Sequence, residues 1–288
     1  MSREKAKIIA VWGSPHSGKT TFATKLATAI YDHYQATVIV LYCDLETPTL
    51  PVLFPNAKPE DIGSVGVPLS KTEIDTDDVI KNFVTFKERQ NFGFLGYREG
   101  ENKFTYPRFG KAKAEELYET LQTLADYIVV DCTSNLEDNT LSAIGVEKAD
   151  QVIRLASPDL SSISYFLSQL PVYEDSKYQR DAHIIGLNTP NADAFMPIEE
   201  ARSHMGEVAF TVPFSRFVKE QMQKGTLHEP TKDRRFDSRM REIAGKVVRK
   251  FIDGVFSVLR VVAAEISYCR QSVIKKMRLD LRHHQIHF

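Results

Sequence analysis

Short apolar runs, each closed by a polar or turn-forming residue, recur along the chain: Lys7 to Trp12, Thr37 to Cys43, Phe92 to Tyr97, Tyr127 to Val130, Gln151 to Ala156, His183 to Leu187 and Glu207 to Val212. Several are apolar throughout instead of alternating, as expected of strands covered on both faces. Between them, Thr20 to Tyr34, Tyr106 to Ala125, Leu160 to Tyr173 and Ile198 to Met205 carry apolar residues three and four positions apart, the period of a helix with one buried face. Strand and helix in alternation predict βαβ units, and so an α/β fold: a doubly wound, mostly parallel sheet of seven strands with helices on both faces. No internal repeat interrupts it. The stretch Asn56 to Asn91 departs from the pattern, with Pro59, Gly63, Gly66 and Pro68 ahead of Asp75, Asp77 and Asp78, and reads as a surface excursion carrying one helix, in a structural role.

The last residues differ in character. Val255, Leu259, Val262, Ile266, Cys269, Val273 and Met277 fall on one stripe of a helix, while Arg260, Arg270, Lys275, Lys276, Arg278 and Arg282 outnumber Glu265 and Asp280. The pattern predicts a domain over 1–254 followed by a basic amphipathic C-terminal helix over 255–288. Its apolar stripe is to be covered by its own domain, by a partner helix or by an anionic membrane surface. His283, His284 and His287 near the end read as a frayed terminus rather than a metal site.

Composition adds bounds. With 42% hydrophobic and 26% charged residues among 288, the chain can bury a sizeable core, and disordered or low-complexity classes are excluded. Balanced charge, 37 Lys+Arg against 38 Asp+Glu, argues against a globally basic nucleic-acid binder. It leaves room for a local DNA contact through Lys232, Arg234, Arg235, Arg239 and Arg241. Cys43, Cys132 and Cys269 form no CxxC pair and suit a reducing compartment. The first apolar run is too short for a signal peptide, and no stretch is long enough to span a bilayer. A cytoplasmic protein, peripheral at a membrane if the tail binds one, is the expectation.

The chemistry is concentrated in Gly13-Ser14-Pro15-His16-Ser17-Gly18-Lys19-Thr20, which matches G-x-x-x-x-G-K-[ST] directly after one predicted strand and directly before a predicted helix. In that context the glycines let successive backbone N–H groups converge on a phosphate at the helix N-terminus. Lys19 would reach the β- and γ-oxygens, the Thr20 hydroxyl would ligate Mg²⁺, and Thr21 would contact the α-phosphate. Asp131, closing the run Tyr127 to Val130, is placed to hold the metal's hydration shell. Asp44, closing the run Thr37 to Cys43, would orient attacking water or the metal shell, with Glu46 as its substitute.

These pieces together resemble the deviant Walker ATPase group that includes MinD, the ParA partition ATPases and CpaE-type relatives. The resemblance rests on the GKTT end of the loop, the strand ending at Asp44, Ala125 to Thr133, Ala149 to Ile153, Ser157-Pro158, Ile184 to Asn188, Val212-Pro213-Phe214-Ser215 and Lys224-Gly225. It covers roughly residues 7–230. What it implies is a P-loop ATPase binding ATP or ADP with Mg²⁺ through Gly13 to Thr21, with Lys19, Asp44 and Asp131 as the catalytic set. Asn188 would face the adenine, with Pro213 and Phe214 beside the base. It further implies a nucleotide-dependent homodimer, slow hydrolysis stimulated by a regulatory or cargo protein, and a role in positioning, partition or assembly of a cellular machine.

The chain departs from the group at one informative position. Its members carry a second lysine at the place occupied here by Ser14, a lysine thought to cross the dimer to the partner's phosphate; His16 is the nearest cationic substitute. The departure keeps a catalytically weak nucleotide-binding scaffold as an alternative. A third reading, a phosphotransferase similar to bacterial tyrosine kinases, rests on Asp44 to Leu50 and is opposed by a tail with Tyr268 alone in place of a tyrosine cluster.

Overall fold

The structure is a computed structural model and describes residues 5–189 and 196–248. The chain divides into two compact units, Met1–Ala244 and Gly245–Phe288. Nearly all of the second, including the apolar stripe, the expected boundary at 254 and the three terminal histidines, lies outside the described residues.

Among the described residues of the first unit, eight strands form one sheet: β1 Lys7–Gly13, β2 Val38–Tyr42, β3 Val84–Phe86, β4 Arg89–Leu95, β5 Tyr127–Asp131, β6 Gln151–Ala156, β7 Ile184–Asn188 and β8 Val208–Val212. Their order is β3-β4-β2-β5-β1-β6-β7-β8, parallel except for the β3–β4 pair at the edge. The helices are α1 Lys19–Tyr34, α2 Leu50–Leu53, α3 Gly66–Leu69, α4 Thr76–Lys81, α5 Lys111–Leu124, α6 Thr140–Lys148, α7 Leu160–Gln169, α8 Ile198–Met205 and α9 Arg216–Lys224. A further helix opens at residue 234.

Burial explains why the central strands are apolar throughout. Ile8, Ala10 and Trp12 of β1 and Ile128 and Val130 of β5 pack with Leu117, Tyr118 and Leu121 of α5 and Ile144 of α6 in one core cluster. The alternating residues Ile9, Val11 and Val129 are equally buried, on the side that α1 covers with Phe22, Ala23, Leu26 and Ile30. Each Val, Leu, Ile or Phe among them stabilises the fold by roughly 1.5–3 kcal/mol on leaving water, before entropy is charged against it.

The expectation of seven strands is corrected to eight. The additional β3 has three residues and a register break between Thr85 and Phe86, too little to show as an apolar run. The stretch 56–91 is also less superficial than its polarity suggested, since Val65, Leu69 and Val79 belong to the core and the segment holds α3, α4 and β3. Pro107 and Gly110 delay α5 to Lys111, and Pro171 turns the end of the expected third helix into a 3-10 turn over Leu170–Tyr173.

The winding decides where ligands can sit. From β1 the chain moves outward past β5 to β2, and later returns through β5 and across to β6 on the other side of β1. Strand order therefore reverses at β1, and the loops leaving the carboxyl ends of β1 and β5 diverge over a crevice, the usual ligand position in open α/β sheets. Register aligns Val11 and Tyr42 with Asp131, so the ends of β1, β2 and β5 stand level at that crevice.

Candidate functional site

The loop after β1 is shaped by close backbone contact. A Cβ on Gly13 would lie 1.9 Å from the Leu155 carbonyl oxygen, so only glycine allows β1 and β6 to pair here. Ser14 then turns inward: its N–H donates to Leu155 O, and its side chain, 1% exposed, shares a short hydrogen bond with the Ser162 hydroxyl of α7. The Ser14 carbonyl collects three donors, Ser17 N, Ser17 Oγ at 2.8 Å and Lys19 Nζ at 3.0 Å. His16 at φ 60° and Gly18 at φ 81° take left-handed conformations that curl the loop. Beyond it α1 begins with no side-chain cap and no acidic residue in its first turn, leaving its leading amides available to an anion.

Three side chains converge on this loop. Lys19 Nζ donates to Ser134 Oγ at 2.6 Å as well as to Ser14 O, and the Thr20 hydroxyl donates to Asp131 Oδ2 at 2.7 Å. Burial lowers the Lys19 pKa, opposed by the Asp131 carboxylate. Burial also lifts the Asp131 carboxyl to about 7, against the Thr20 hydrogen bond and the Lys19 charge, with the Asp44 charge adding to the rise. A buried carboxylate that remains this reluctant to ionise is short of positive charge. A carboxylate and a hydroxyl 2.7 Å apart are the hard oxygen donors that Mg²⁺ combines with phosphate oxygens, so the residues present fit that ion.

The other expected residues are placed less uniformly. Asn188, buried at the end of β7, donates from Nδ2 to Ser17 O at 2.7 Å, so its amide braces the loop. Its register partner is Val212, which puts half-buried Pro213 and Phe214 beside it at the same end of the sheet. Asp44 is turned onto its own loop, accepting from Glu46 N and Thr47 N at 2.8 and 2.9 Å, and Glu46 is exposed. Thr21 is half-buried, and exposed Pro15 and His16 line an open cleft of about 480 Å³ with Leu160, Ser161, Ser164 and Tyr165. Of the basic residues marked for DNA, Arg239 is engaged by Thr211 O and Glu242, and Arg241 by His33.

Two participants were missed by sequence reasoning. Ser134 holds Lys19, and Asn139 caps α6 while donating to Cys43 O, linking the loops after β2 and β5. Asn139 carried a readable signal, an Asn ahead of an apolar segment. Ser134 carried none, because a loop serine has no pattern. Tyr42, at the end of β2, is fully buried with its hydroxyl on Thr24.

No family model matches the sequence. An uncharacterized ATP-binding protein of Methanocaldococcus jannaschii is 27% identical over 155 residues, 53% of each chain, so this chain spans about half the length of the curated relative it matches. Among solved structures, a ParA family ATPase from Chlorobium tepidum superposes with a TM-score of 0.69 at 13% identity, covering 84% of this chain and 98% of that one. The septum site-determining protein MinD of Pyrococcus horikoshii, complexed with Mg-ADP, gives 0.62 at 18% identity over 84% and 96%. The fold is that of the ParA and MinD ATPases, a P-loop NTPase fold with an eight-stranded, mostly parallel sheet.

Proposed function

We propose that this protein is an ATP-binding nucleotide switch of the MinD/ParA kind, which hydrolyses slowly and acts through a partner protein in positioning, partition or assembly. The observation that carries the reading is the convergence of Lys19, Thr20 and Asp131 on the loop from Gly13 to Gly18. The loop and α1 amides would take the phosphate chain, and Lys19, with two of its three N–H groups committed to Ser14 O and Ser134 Oγ, keeps the third for phosphate oxygen. Thr20 and Asp131 would hold Mg²⁺, which when bound supplies charge neutralisation at the β- and γ-oxygens. Asn188 fixes the loop's far side, with Pro213 and Phe214 placed to flank a base.

Calorimetry with Mg·ATP and Mg·ADP tests this reading. Wild-type protein is expected to bind both, and Lys19→Ala to lose about 50-fold or more in ATP affinity, the scale of a charged hydrogen bond and its ion pair removed together. Unchanged affinity in that variant defeats the assignment.

Ser14 favours a second reading, a scaffold that binds nucleotide with little turnover. Its side chain is buried against Ser162, so no cation stands where the resemblance expects one. Phosphate release assays, with and without candidate partners, separate the two readings. For the tail, we propose a salt-sensitive contact with anionic membranes, supported by its basic residues and measured as vesicle binding lost on deletion of 255–288.

A further inference from the structure

Three residues past Asp131, Ser134 is tied in two directions at once. Its hydroxyl accepts from Lys19 Nζ at 2.6 Å. Its carbonyl accepts from the Trp12 indole N–H at 3.0 Å and from the Tyr165 hydroxyl at 2.5 Å, which uses both lone pairs of that oxygen. The orientation of this one peptide is therefore fixed by β1 and α7, while its side chain rests on the ammonium that faces the phosphate position.

The two clamps are themselves packed together. The Tyr165 ring lies 6.1 Å from Trp12, and Phe166 and Tyr173 meet Trp12 edge-on at 5.8 and 5.2 Å. α7 has a second tie to the loop through Ser162 and Ser14, three residues before Tyr165 and so on the same face of the helix. Its other side, Leu160, Ser161, Ser164, Leu167 and Ser168, is exposed, and no charged residue occurs from Leu160 to Tyr173. α7 thus touches both phosphate-facing loops with one side and offers solvent an uncharged surface with the other.

Resting on the nucleotide reading, we propose that Ser134 is a positioning residue for Lys19 and that, through Trp12 and Tyr165, it reports the terminal phosphate of a nucleoside triphosphate to α7. A diphosphate offers the Lys19 ammonium its β-oxygens alone, whereas a triphosphate adds the γ-oxygens and with them a second pull in a new direction. Displacement of the ammonium moves the Ser134 hydroxyl, and a peptide held at its carbonyl by two side chains passes that movement to them. The uncharged side of α7 is the surface that then differs between the two nucleotide states.

Trp12 is the only tryptophan in the 288 residues, so its emission reads this connection without background. The full-length protein is titrated with Mg·ADP and with Mg²⁺ plus a non-hydrolysable ATP analogue, following fluorescence and calorimetric affinity side by side. Wild type is expected to show an emission shift specific to the triphosphate. Ser134→Ala should lose that shift and bind the triphosphate about tenfold more weakly, with diphosphate affinity changed by less than about twofold; Ser134→Thr, which keeps the hydroxyl, should restore both. Tyr165→Phe should keep both affinities and lose most of the shift, and it decides the matter if Ser134→Ala does not fold. A shift of wild-type size in both Ser134→Ala and Tyr165→Phe overturns the proposal, as does identical emission with the two nucleotides in wild-type protein that binds both. Absence of calorimetric binding by wild type overturns the nucleotide reading itself, and this inference with it.

Discussion

Asp131 illustrates how a site can be costly until its ligand arrives. Its carboxyl is lifted from the ordinary range to about 7 because burial outweighs the Thr20 hydrogen bond and the Lys19 charge. The folded chain therefore holds this proton more tightly than the unfolded chain between about pH 4 and pH 7, and this group's contribution to stability falls as pH rises through that window. Asp131→Asn is expected to raise the thermal midpoint of the nucleotide-free protein, by more at pH 8 than at pH 5, and to abolish stabilisation by Mg·nucleotide; a midpoint gain equal at the two pH values would contradict burial of the charge as the origin of the shift. His16 makes a smaller claim. A non-glycine residue at φ 60° carries strain, so His16→Gly should stabilise the protein by up to about 1 kcal/mol in denaturant melts. Ser14 points the other way. Installing a lysine at this position, 1% exposed and bonded to Ser162, should cost about 1–3 kcal/mol from overpacking, measured by the same melts.

Among the elements, the joint between β1 and β6 is the least forgiving. Gly13→Ala would drive a methyl group into the Leu155 carbonyl, and soluble, nucleotide-binding protein is not expected from that variant. A second joint is sensitive to acid. His228 stacks on Phe86 at 4.6 Å and packs against Phe54 and Phe94, and burial with the nearby Arg89 charge lowers its pKa to about 4. The unfolded chain binds that proton below about pH 6.5 and the folded chain does so only near 4. Stability from this contact is thus complete above 6.5 and lost as pH falls toward 4. His183, lowered to about 4 chiefly by burial, adds to the same slope, and Asp131 opposes it over the same window; relative to wild type, His228→Phe should therefore gain less stability as pH rises from about 4 to 7, as read from paired melts.

The elements also show which parts of the molecule were legible. The central strands declared themselves because burial on both faces leaves only apolar choices, and the phosphate loop did so because its backbone path admits few residues. α6 escaped notice because Leu141, Ser142, Ile144, Gly145 and Val146 are all buried, so the helix has no polar stripe to reveal its period. β3 was too short to stand out, and the start of β4, Arg89 to Asn91, is polar because the neighbouring edge leaves it near solvent. Ser134 could only be found in space. Its role comes from partners at 12, 19 and 165, which no local spacing encodes.

On the scale of the whole molecule, sedimentation with ADP and with a non-hydrolysable ATP analogue asks whether a chain lacking the second lysine still pairs, and the switch reading expects a nucleotide-dependent dimer. The winding of the sheet bears on an earlier moment in the protein's life. β5 lies between β1 and β2, although it follows both by more than eighty residues in sequence. A nascent chain that has left the ribosome only as far as α4 therefore holds two strands that cannot become neighbours without closing the slot reserved for a third. The phosphate loop is synthesised first and completed late, since Asp131 arrives with that inserted strand. Until then a growing chain has no finished place to receive its ligand, and assembly of such long-range parallel pairs is expected to be slow.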